Sequence, residues 1–241
     1  MAEDTSIKAD EIDWWQTDGK RRADHEVHRA MAYDIMNMAQ TRGNIRVLSF
    51  PGPTWLWEQS TQDMFPQFDL RFHGLERDAD IHKKLQRRML GFPATYSLCR
   101  KPQSLQDFAR AFDRRRRKID ITYLDWMGTW SREKKEDLHA LFRSGLMADD
   151  GLLKLTIALR RGRPETTDEL RDLAHDLPLM FYDERSRDTY TSNIKVRGIP
   201  HWVQNTAEEY DMDLQPSLAA VYYSQGGAPQ LQLLFRNQTK S

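Results

Sequence analysis

"NIRVLSFPGPTWLWEQ", residues 44–59, sets an apolar run against a turn of Pro51, Gly52 and Pro53, and then a segment of helical spacing. A short run containing Ile45, Val47 and Leu48 is a buried strand, and the proline-glycine turn ends it. Strand, glycine turn and helix form one βα unit of a parallel sheet, the place where many α/β proteins hold a nucleotide. Gly52 would let a ligand approach the backbone, while Pro51 and Pro53 bring no N–H. The turn therefore offers an anion fewer donors than a glycine-rich loop, and a rigid turn that only closes the unit explains the same residues.

Working outward, the same alternation repeats. "HEVHRAMAYDIMNMAQTRGN" spaces Val27, Met31, Ile35 and Met38 by three or four, which predicts an amphipathic helix stopped near Gly43. After residue 59, "DLRFHGLE" predicts a second strand, "DADIHKKLQRRML" a helix, "ATYSLCR" a third strand, and "SLQDFARAFDRR" a helix capped by Ser104. "KIDITYLDW" is the clearest strand of all, followed by a helix capped by Ser131 and by the strand "LLKLTIALRR". Such alternation with short connections predicts a doubly wound, mostly parallel sheet with helices on both faces. The chain end differs: "SLAAVYYS", "QGGAPQ" and "LQLLFRN" predict a C-terminal antiparallel β-hairpin. The expected organisation is an N-terminal extension over residues 1–24 and a single α/β domain over 25–241. A polar insertion around 160–216, of one or two helices, is expected over the sheet edge.

Composition limits the function. Lys plus Arg and Asp plus Glu number 36 each, so any surface for a polyanion must be local. The one cysteine, Cys99, excludes an internal disulfide framework and a cysteine-rich zinc site. Cys99 itself reads as core filler rather than as a nucleophile. The seven histidines show no ligand spacing, so no metal is expected. No apolar run approaches the ~20 residues that span a bilayer, and the acidic start does not resemble a signal peptide. A soluble protein of the reducing cytoplasm, with no membrane contact, is the expectation.

In an open α/β sheet the ligand lies beyond the carboxyl ends of the strands. Besides the turn at Ser49–Pro53, two such ends carry chemistry. Glu76 closes the second strand at an interval suited to a ribose-binding carboxylate, whose two oxygens accept from vicinal hydroxyls; capping of the next helix is the alternative. Asp125 ends the fourth strand and is followed by Trp126, Gly128 and Trp130. There a carboxylate could hold an amine while an indole stacks on a planar ring; an N-cap with both indoles in the core is the alternative. The basic run Arg114, Arg115, Arg116, Arg117 and Lys118 suits a nucleic acid and equally suits a solvated helix end.

These features together resemble the class I S-adenosylmethionine-dependent methyltransferases, a Rossmann-like family, over about residues 27–236. The resemblance implies S-adenosylmethionine as cofactor. It implies that Phe50, Pro51, Gly52 and Pro53 contact the methionine end and that Glu76 binds the ribose. The loop after the third strand would touch adenine, Asp125 and Trp126 would be catalytic, and Gly128 and Trp130 would contact substrate. "SFPGP" stands where the family carries a glycine-rich "GxGxG", and "DWMG" lacks the proline pair of nucleic-acid amino-methyltransferases. The resemblance points to a methyltransferase acting on a nucleic acid, DNA or RNA. The alternative is a methyltransferase-like scaffold without catalysis, binding nucleic acid or a protein partner. A dehydrogenase would share the acidic residue after the second strand, but the missing triple-glycine fingerprint and the closing hairpin oppose it.

Overall fold

A computed structural model describes residues 18–52, 55–113, 115, 117–159, 170, 173, 190–223 and 229–238. In chain order these form α1 (Asp18–Arg42), β1 (Asn44–Ser49), α2 (Leu56–Met64), β2 (Asp69–Gly74), α3 (Ala79–Met89) and β3 (Tyr96–Leu98). They continue as α4 (Leu105–Ala111), β4 (Ile119–Thr129), α5 (Arg132–Ser144), β5 (Met147–Ala158), α6 (Tyr190–Glu208), β6 (Asp213–Tyr223) and β7 (Pro229–Gln238). The strands form one sheet in the order β3-β2-β1-β4-β5-β7-β6. The first five are parallel and β7 runs antiparallel to both of its neighbours. The expected doubly wound, mostly parallel sheet with its closing antiparallel hairpin is therefore the observed fold.

Hydrophobic periodicity decides which face each helix covers. Val27, Met31, Ile35 and Met38 are all buried, and together with Ile45, Val47, Leu70 and Phe72 they build the core between α1, α2 and the sheet. On the other face Leu138, Leu141 and Phe142 of α5 meet Ile199, Trp202 and Val203 of α6 over β4 and β5. Gly43 adopts a positive φ of 76° directly after α1, as the sequence predicts for the stop. The helix itself starts at Asp18 rather than near His25, and Asp24 is buried within it. Within the stretch expected as an insertion, residues 190–208 are helical and β6 already begins at Asp213. The remainder of that expectation, the Gly-Gly turn and the first 17 residues lie outside the described residues.

Three details shape the sheet around its carboxyl rim and edges. The ladder between β4 and β5 passes from Asp125↔Thr156 to Thr129↔Ala158, so four steps of β4 oppose two of β5. Gly128 sits in this bulge at φ 85°, a conformation glycine adopts without strain. The sequence predicts that the strand ends near Trp126; it instead continues through the bulge to Thr129. At the sheet edges, β3 has only three residues, and β6 carries Pro216 next to a register shift. Finally, α4 has seven residues, a length of about 10 Å, against strands of six residues spanning about 20 Å. Among the described residues it leaves part of the β1–β2–β3 face uncovered.

Candidate functional site

At the carboxyl rim, Phe50 beyond β1, Glu76 beyond β2, and Asp125 and Trp126 of β4 line one cleft of about 350 Å³. Gln103 from the loop after β3 and Asp137 of α5 complete the part that matters chemically. Four residues singled out from three different strand ends are thus brought together. Pro51 and Gly52 lie in the turn behind the lining, Pro53 lies outside the described residues, and Gly128 and Trp130 do not reach the cleft.

Backbone hydrogen bonds hold these residues in place. The Phe50 amide donates to the Tyr123 carbonyl at 3.2 Å, extending the β1–β4 ladder, and the Leu75 amide donates to Ser49 at 2.9 Å. Glu76 stands two residues past the end of β2, with its Oε1 accepting from the Asp78 amide at 2.7 Å. Asp78 in turn caps α3 by accepting from the Asp80 and Ile81 amides at 2.9 and 3.0 Å. The capping role offered as the alternative for Glu76 therefore belongs to Asp78, with Glu76 bracing it. Desolvation pushes the Glu76 carboxyl above its ordinary range. The Gln103 amide donates to the Glu76 carbonyl at 2.8 Å and fixes the β3–α4 loop across the cleft.

Asp125 is one-fifth exposed and accepts from Lys20 Nζ of α1 at 3.0 Å. Burial works against the Lys20 charge, yet Asp125 and Asp24 hold that ammonium above the usual lysine range. Trp126 presents its ring to the cleft while its Nε1 donates to Asp137 Oδ2 at 3.2 Å. Gln106 donates to the other Asp137 oxygen at 3.1 Å. Trp130, expected to offer a stacking face, is 1% exposed. Its indole packs edge-to-face on Trp202 at 5.2 Å and on Trp126 at 6.5 Å, so it belongs to the core. Gly128 is exposed at the bulge.

The turn after β1 is filled from within. Trp55, at a positive φ of 53°, is fully buried, and with Pro51 it lies so close to Gly74 that a Cβ there would sit 2.6 Å from the indole and 2.7 Å from the proline ring. Gly52 has no such neighbour within 4 Å.

Sequence reasoning missed the charged groups behind the rim. Lys154, in the middle of β5, is fully buried and donates to Asp24 at 2.8 Å, where Gln232 also donates at 2.8 Å. Its ammonium lies 4.1 Å from the Tyr123 ring centre and 4.8 Å from that of Trp57. Desolvation would raise the Asp24 carboxyl, but Lys154 and Lys20 hold it below its ordinary range. Glu58 of α2 is buried with Oε1 unpartnered among the described residues, and desolvation pushes it up to about 7. Lys134 lines the cleft from α5, where burial lowers it to about 8. The only sequence signal for Lys154 is a charge inside the apolar run "LLKLTIAL".

The basic run is largely engaged where it is described. Arg117 pairs with Asp120 at 3.2 Å and Lys118 with Asp149 at 2.5 Å, while Arg115 is exposed; Arg114 and Arg116 lie outside the described residues. Among the described residues no group of three or more His, Cys, Asp or Glu could hold a metal ion, and no helix is long and apolar enough to cross a membrane.

No protein-family model matches the chain, and no curated protein does. Among solved structures, it is similar to a candidate sarcosine dimethylglycine methyltransferase from Galdieria sulphuraria. There the TM-score is 0.48 and the identity 12%, over 92% of this chain and 89% of that one. A probable spermidine synthase from Corynebacterium glutamicum gives a TM-score of 0.49 at 14% identity, over 88% and 63% of the two chains. A candidate methyltransferase from Escherichia coli gives 0.47 at 9% identity, over 87% and 85%. Identities this low leave activity and substrate to be argued from the chain's own residues.

Proposed function

We propose that this protein is an S-adenosylmethionine-dependent methyltransferase acting on a nucleic acid. The observation that carries the reading is the convergence of Phe50, Glu76, Asp125 and Trp126 on one cleft at the carboxyl rim. The residues fit the cofactor's chemistry: five carboxylates, Glu76, Asp78, Asp125, Glu133 and Asp137, line the cleft against Arg77 and Lys134. An acidic cleft suits a sulfonium cation, and its volume falls at the small end of ligand sites.

When bound, the cofactor would supply an electrophilic methyl group. Glu76 would accept from the ribose hydroxyls, with Gln103 and the β3–α4 loop closing over the adenine side. Asp125 would orient an acceptor amine, and the Trp126 ring, held by Asp137, would wall off water. An amine at Asp125 would share the carboxylate with the Lys20 ammonium, which holds Oδ2, or displace it.

A second reading, a non-catalytic scaffold that binds nucleic acid or a protein partner, is favoured by the packing of Pro51 and Trp55 onto Gly74 beneath the turn. Calorimetric titration with S-adenosylmethionine and S-adenosylhomocysteine separates the two. Micromolar binding, weakened tenfold or more (~1.4 kcal/mol) in Glu76→Ala, is the expected result. Absence of heat from folded protein at millimolar ligand would overturn the enzyme reading and leave the scaffold.

A further inference from the structure

Because α4 is short, a groove of about 630 Å³ opens between it and the β1–β2–β3 face. Its floor is unusual for a sheet covered by helices. Ile45, Val47, Leu70 and Phe72 point into the opposite core, so Arg46 and Arg71, which are register partners, stand side by side on this face. Two guanidinium groups on adjacent strands repel, and each is held by a partner of its own. Asp69 takes the fork of Arg71 at 2.9–3.1 Å, and Arg46 reaches the Arg117 carbonyl. Exposed Arg115 and part-exposed Arg117 continue the positive charge where Phe112 and Asp113 border the groove.

The walls are aromatic. Phe108 and Phe112 of the α4 segment are half-buried, and the Phe108 ring lies 5.5 Å from that of His73 at 31°. His73 is braced by Ser97 at 3.0 Å. Cations beside flat ring faces form the recognition chemistry of a single-stranded polynucleotide: charge for phosphates, rings for bases. Gln103 borders both this groove and the rim cleft.

We infer that the groove is the track for a single-stranded nucleic acid, which runs along the β1–β2–β3 face from the end near Arg115 and Arg117 to the cleft at Gln103. As an account of the acceptor it rests on the methyltransferase reading; as a binding surface it stands alone. A duplex is too broad to seat its bases against Phe108 and His73, so the track selects single strands.

Fluorescence anisotropy of the full chain with a labelled 20-nucleotide oligouridylate, from 50 to 200 mM salt, tests it. The expected result is tighter binding than to a duplex of equal length, weakened threefold to tenfold in Arg71→Gln and more in Arg46→Gln/Arg71→Gln. Each lost cation should also lower the salt slope by about 0.7. Phe108→Leu, which keeps the apolar packing, should lose affinity at unchanged salt slope, because it removes stacking and no charge. Absent binding at 50 mM salt, equal affinity for the duplex, or undiminished binding by the folded double variant would overturn the inference. Equal affinity for polyglutamate would do so too, since it would reduce the groove to a patch of charge. Parallel titration with S-adenosylmethionine keeps the readings apart. Oligonucleotide binding without donor binding upholds the groove and overturns the enzyme, and donor binding without oligonucleotide binding does the reverse.

Discussion

Lys20 Nζ and Asp125 Oδ2 lie 3.0 Å apart, tying the first turn of α1 to the strand position just ahead of the β4 bulge. The contact spans 105 residues of sequence and fixes the start of α1 against a residue that borders the candidate site. With side chains only 16% and 20% exposed, the pair is screened less than a surface ion pair.

A double-mutant cycle on Lys20→Met and Asp125→Asn should therefore give a coupling energy of about 1–2 kcal/mol by urea unfolding. A coupling near zero would show that the two groups hold each other only loosely.

The Lys154–Asp24 pair is more deeply placed and should behave differently. Lys154→Met leaves the buried Asp24 carboxylate with the Gln232 amide and the neighbouring Lys20 ammonium but without its ion-pair partner, and should destabilise the fold by about 3–5 kcal/mol. Adding Asp24→Asn should restore most of that loss, since an amide needs no counter-ion. Chemical denaturation of the single and double variants checks the order.

Glu58 and His28 oppose each other in their pH dependence. Glu58 is held up to about 7 from an ordinary 4.5 by desolvation, so its ionisation opposes folding and its contribution falls as pH rises from about 4.5 to 7. His28 is held down to about 4 from 6.5, again by desolvation, so its contribution rises over roughly pH 4 to 6.5. Glu58→Gln should gain about 3 kcal/mol on wild type between pH 4 and pH 8, measured as the difference in unfolding free energy at each pH. A constant offset between the two proteins would contradict a carboxyl whose ionisation is opposed by burial.

Two glycines separate folding from binding. Gly74→Ala places a Cβ against Trp55 and Pro51 and should cost about 1–3 kcal/mol. Gly52→Ala meets nothing within 4 Å and should leave thermal stability unchanged. Loss of S-adenosylmethionine binding in Gly52→Ala at wild-type melting temperature would then report direct approach of the ligand to the turn.

Local pattern made the architecture legible. The four apolar positions of α1, the alternation of strands with helices and the change of character at the chain end each follow from periodicities of two or 3.6. Glu76 and Asp125 could be singled out because a strand end in an open sheet has a known relation to ligands, and both border the rim cleft. What stayed hidden depends on distant partners. Trp130 becomes core because Trp202, on another helix, covers it. Lys154 becomes a buried ion pair because α1 crosses the sheet and delivers Asp24. The bulge at Gly128 is invisible because glycine is compatible with a strand end and with a bulge alike.

The two outer strands bear on how copies of this protein meet. Among the described residues, the open sheet of seven strands presents two unpaired rows of amides and carbonyls, each a template for another chain. At one margin β3 is too short to template more than a few hydrogen bonds; at the other, Pro216 removes a donor and the register shift beside it bends the row. Sheet-to-sheet fusion, the usual hazard of an open α/β fold, is blunted at both margins by backbone alone, which leaves the side chains of the rim and groove free to be chosen for recognition.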